Sequence, residues 1–106
     1  MIRQSVNEGS TAYLEVDFLD KDDAAATPSA VTYRIDCLTT GAAVRASTSL
    51  TAGSSIEITM TPADNAIQDQ ANDYERRLVT VEATYGASDS VNSEHEYVVR
   101  NLRKVA

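Results

Sequence analysis

Apolar side chains fall on every second residue in several separate stretches of this chain, and that spacing constrains the fold more than any other feature. In residues 12–18, Ala12, Leu14, Val16 and Phe18 alternate with Tyr13, Glu15 and Asp17. A strand turns successive side chains to opposite sides, so such a segment has one face for a core and one for water. A helix would scatter the same residues around its surface. The alternation returns at Val31, Tyr33, Ile35 and Cys37, at Ile56, Ile58 and Met60, and at Val79, Val81, Ala83 and Tyr85. A last strand is expected over residues 94–102, where the adjacent Val98 and Val99 leave the inward face open, and a short one over residues 43–46. Gly9, Gly41, Gly53 and Gly86 all lie between the runs, as turns require. Short alternating segments separated by such turns predict an all-β fold, an antiparallel β-sandwich. Leu14, Val16, Phe18, Val31, Tyr33, Ile35, Ile56, Ile58, Val79 and Val81 are its expected interior.

One segment breaks the rhythm. Thr61, Pro62 and Asp64 supply a hydroxyl cap, a proline suited to a first helical position and a first-turn carboxylate. Ala63, Ala66, Ile67 and Ala71 then share one helical face. The pattern predicts one short crossover helix ending near Asn72 and Asp73, laid across an end of the sandwich.

A chain of 106 residues is one domain, 1–106, since single domains span roughly 50–200 residues. Its ends, residues 1–7 and 103–106, are short and polar and are expected to be flexible. The charge balance, 9 Lys and Arg against 16 Asp and Glu for a net −7, disfavours a phosphate backbone, and the cations are scattered except for Arg100, Arg103 and Lys104. Nucleic acid is therefore not an expected partner. No window approaches the roughly 20 apolar residues of a membrane span or the composition of a signal peptide, so no membrane association is expected and synthesis is placed in a cytoplasm.

No complete catalytic, cofactor or metal motif is present. Asp20, Asp22 and Asp23 lack the glycine and downstream glutamate of a calcium loop and read as a solvated turn. His95 between Glu94 and Glu96 has no serine elbow to serve. Cys37, in phase with Ile35, reads as a buried small hydrophobe, and Tyr85 and Tyr97 as core or core-edge rings. The chain is expected to be no enzyme and to hold no cofactor. Tyr13 and Leu19 fall out of phase with the inward residues of their strand and, with Arg100, Arg103 and Lys104, are the candidate partner-binding residues.

The order of these pieces resembles a known kind of protein. The strand, helical turn and strand running through residues 55–64, the crossover and residues 78–85 are similar to those of immunoglobulin-like domains, without the cysteine pair and core tryptophan of antibody domains. The Gly9-Ser10 step into a strand, the acidic loop ending at Pro28, the strand Val31-Thr32-Tyr33-Arg34-Ile35-Asp36 and the closing strand Glu96-Tyr97-Val98-Val99-Arg100-Asn101-Leu102 resemble small immunoglobulin-like structural proteins of tailed bacteriophages. The resemblance covers about residues 8–102. It implies an immunoglobulin-like sandwich of about seven strands and a virion component of the head-tail junction, tail or capsid surface, made in the bacterial host cytoplasm. Its implied partners are portal, neck, tail or capsid subunits and further copies of itself. The competing expectation is a carbohydrate- or host-surface-binding module, against which the absence of tryptophan and the 6% aromatic content count, because sugar platforms rest on exposed rings.

Overall fold

The computed structural model describes residues 4–20, 22–86 and 89–102. Seven strands follow one another: β1 (Gln4–Asn7), β2 (Ala12–Asp17), β3 (Ala30–Cys37), β4 (Ala43–Leu50), β5 (Ser55–Met60), β6 (Tyr74–Tyr85) and β7 (Asp89–Arg100). They form a five-stranded sheet in the order β1-β7-β6-β3-β4 and a two-stranded sheet of β2 and β5. All pairings are antiparallel except β1 with β7, which run parallel.

The alternation explains why the two sheets close on each other. Ala12, Val16, Ile56, Ile58 and Met60 from the small sheet share one cluster with Val31, Tyr33, Ile35, Val79, Val81, Ala83, Tyr97 and Val99 from the large one. Of the expected interior only Leu14 is half-buried rather than buried. Cys37 is buried, and Val99, not Val98, faces the core. Sheets sealed by interdigitated aliphatic side chains draw most of their stability from this burial.

Three expectations need correction. Residues 4–7 are not a loose end: they form β1, register Val6 against Val99 of β7 and bury the Val6 side chain. Residues 43–46 are only the first half of β4, which runs to Leu50, and the last two strands each span 12 residues.

The third correction is the crossover helix, for no helix occurs among the described residues. The local start signal is obeyed. Thr61 N donates to Asp64 Oδ2 at 2.9 Å while Asp64 N donates to Thr61 Oγ1 at 3.2 Å, the reciprocal arrangement of a capping box. The helix is then prevented from propagating, because β6 captures the backbone groups its ladder would use. Arg77 donates to the carbonyls of Asp64 and Ala66, and Glu75 accepts from the N–H groups of Gln68 and Asp69. The segment becomes a string of turns pinned over one end of the sandwich.

Candidate functional site

The polar end of the molecule is built by β6. Its inward parity runs Glu75, Arg77, Val79, Val81, Ala83, so the rule that buries three hydrophobes also carries a carboxylate and a guanidinium into the core, both at 0% exposure. Arg77 Nη2 lies 2.7 Å from Glu75 Oε1. Burial pushes the Glu75 carboxyl up, but hydrogen bonds from Gln68 N, Asn72 Nδ2, Arg77 and Asp69 N outweigh it, and the net shift is downward.

A second carboxylate, Asp64, is gripped by Arg45 at 2.9 Å. Arg45 stands opposite Ile35 next to a register shift between β3 and β4, which puts it on the inward side. Asn65 completes the network, donating to Ser10 O at 2.7 Å and accepting from Tyr97 Oη at 2.8 Å. Burial raises the Tyr97 phenol to about 12. Apart from Nε of Arg77, the charges here are matched by partners inside the protein, which makes this end a structural clamp rather than a place for a ligand.

The opposite end is open. Residues 89–92 of β7 are exposed there, and Leu19, Asp20, Tyr85, Asp89 and Val91 line a cleft of about 340 Å³. Leu19 and Val91 are about half exposed there, and Leu19 bridges to Ala25 across the acidic turn. Tyr85 Oη is buried without a hydrogen-bond partner among the described residues. Asp20 Oδ1 accepts from Asp22 N at 2.8 Å and Ala24 N at 3.0 Å, so this carboxylate closes its own turn. Among the described residues no three of His, Cys, Asp or Glu converge as metal ligands.

The partner-binding candidates do not meet in one place. Leu19 belongs to the cleft. Tyr13 is exposed on the outer side of β2, since its neighbour Ala12 faces the core. Arg100 is exposed at the other end of β7, beside Asn7 and Tyr74. Arg103 and Lys104 lie outside the described residues. Sequence reasoning missed Asp89 and Val91 of the cleft, because β7 was expected to begin at residue 94.

His95 has Ser93 Oγ 3.1 Å from Nε2. Strand alternation sends Glu94 and Glu96 to the other face of the sheet, and Glu96 binds Arg76 at 2.6 Å. Neither flanking carboxylate orients the ring, so the serine and histidine are not set up as a triad. Comparisons with protein-family models, curated proteins and solved structures return no match to this chain.

Proposed function

We propose that this protein is a non-enzymatic, immunoglobulin-like structural component of a tailed-bacteriophage particle, working by docking to other virion subunits. The observation that carries the reading is the strand arrangement. The order β4-β3-β6-β7 against a separate β2-β5 pair matches an immunoglobulin-type sandwich in which strand C′ joins strands C, F and G and strands B and E pair opposite. The same arrangement agrees with the phage-protein resemblance in residues 8–102.

The surface supports docking over catalysis or nucleic-acid binding. An unclosed sandwich keeps strand edges that receive partner strands. Arg34, Arg45, Arg76 and Arg77 are each paired with a carboxylate, to Asp36, Asp64, Glu96 and Glu75 respectively, leaving an acidic exterior unsuited to phosphate. The exposed Tyr13 and Tyr74 sit on the outer sides of different sheets and make no joint sugar platform. Disrupting the coding region in the phage that carries it tests the reading: particles with a defective or undecorated neck, tail or capsid are expected in electron micrographs. Particles unchanged in appearance, composition and stability would overturn it.

A further inference from the structure

The β7 strand is longer than anything that covers it. On the side away from β6, β1 pairs only with Tyr97, Val98, Val99 and Arg100. Among the described residues nothing pairs with residues 89–93 on that side, although all five pair with β6 on the other. This bare edge borders the cleft, whose floor is Leu19, Tyr85 and Val91 and whose carboxylates are Asp20 and Asp89, with Asp22 and Asp23 exposed in the adjoining turn. An occupant must therefore be extended, partly apolar and basic.

We propose that the cleft and this edge receive residues 102–106 of a second copy as an added strand, joining copies head to tail. That segment reads Leu102, Arg103, Lys104, Val105, Ala106 and, with Arg100, puts three cations within five residues. In an added strand Leu102, Lys104 and Ala106 share one face, which sets Leu102 against the cleft floor and Lys104 near its carboxylates, while Arg103 on the other face adds to the general attraction of a basic segment for an acidic surface. The segment cannot reach its own cleft. Residues 89 and 100 lie about 36 Å apart along β7 at roughly 3.3 Å per residue, whereas six residues beyond Arg100 span at most about 21 Å. The 53 Å length of the molecule agrees with this separation of its ends. A heterologous contact of this kind closes into a ring or extends into a filament. The contact is small and so weak between free copies, gaining strength when many copies are held side by side, and in this it rests on the assembly reading above.

The test mixes two full-length variants observed by NMR. Arg103→Glu/Lys104→Glu keeps the cleft and loses the tail, while Asp89→Lys/Val91→Lys, at exposed positions, keeps the tail and loses the cleft. Titrating the unlabelled cleft variant into the isotope-labelled tail variant is expected to shift the amides of Leu19, Ser90, Val91 and Asn92, with the shifts diminished at high salt. Neither variant shifts these amides when titrated into a labelled sample of itself. Absence of these shifts at the highest soluble concentration, or shifts confined to other surfaces, overturns the proposal. Particles that contain the protein together with no such shifts would refute the head-to-tail contact alone. Shifts without incorporation into particles would refute the virion reading alone.

Discussion

Replacing Arg77 with Met removes the guanidinium from the clamp while keeping an unbranched side chain of similar reach. The fully buried guanidinium makes three hydrogen bonds, to Asp64 O, to Ala66 O at 2.8 Å and to Glu75 Oε1 at 2.7 Å. Without it two carbonyls lose a charged donor, and Glu75 remains ionised in the core with only Gln68 N, Asp69 N and Asn72 Nδ2 around it. Breaking a buried pair by removing one partner costs about 3–5 kcal/mol. That is a large part of the roughly 5–15 kcal/mol that holds a domain of this size together. At about 4–8 °C per kcal/mol for a small domain, that loss of stability corresponds to a fall in melting temperature of roughly 12–40 °C. Urea denaturation of Arg77→Met, Glu75→Gln and the double variant measures it, and the double variant should lose less than the two singles together by about 1–3 kcal/mol. A single-variant loss under about 1 kcal/mol, or strict additivity, would refute the claim that this pair holds the turns of residues 61–73 in place.

The remaining predictions concern the core, the first strand and pH. Ile58→Ala, at 0% exposure between the sheets, should cost about 2–5 kcal/mol by chemical denaturation; an unchanged midpoint would remove it from the core. Val6→Asp should destabilise the fold and speed amide exchange along β1 and the facing end of β7, since it puts an unpaired charge against Val99; wild-type exchange there would mean that β1 is dispensable. Glu75 has a folded-state pKa below its unfolded value of about 4.3. Its contribution is therefore present above that pH and lost as pH falls through the folded value, and Glu75→Gln should flatten the acid limb of a stability profile. Tyr97 runs the other way. Its contribution is complete below the unfolded value of about 10 and lost as pH rises toward its folded value of about 12, so Tyr97→Phe should remove that alkaline loss, and an alkaline limb unchanged by the substitution would contradict it.

Most of the sandwich could be read from parity alone, because burial of one strand face is a local property written into alternate residues. What escaped the reading depends on partners far away in sequence. Thr61, Pro62 and Asp64 do make a helix start, but the residues that stop the helix are Glu75 and Arg77, whose capture of the backbone exists only once β6 is folded. Their parity with Val79 was visible, yet two adjacent-parity charges ahead of an apolar run look like a loop until both are seen to have buried partners. β1 carries one informative side chain, Val6, too few for a pattern. The candidate site was legible only in part: Leu19 stood out by its phase, whereas the cleft also needs Asp89 and Val91 at the start of a 12-residue β7, and strand length is what alternation reports least well.

The central proposal is that this protein belongs to a virion and acts there by contact. Mass spectrometry of gradient-purified phage particles, from a phage whose genome carries this coding sequence, tests that proposal most directly. The account predicts that its peptides co-purify with portal, capsid and tail proteins in multiple copies per particle and resist washing at moderate salt. Particles that yield full coverage of those proteins and none of this one would contradict it.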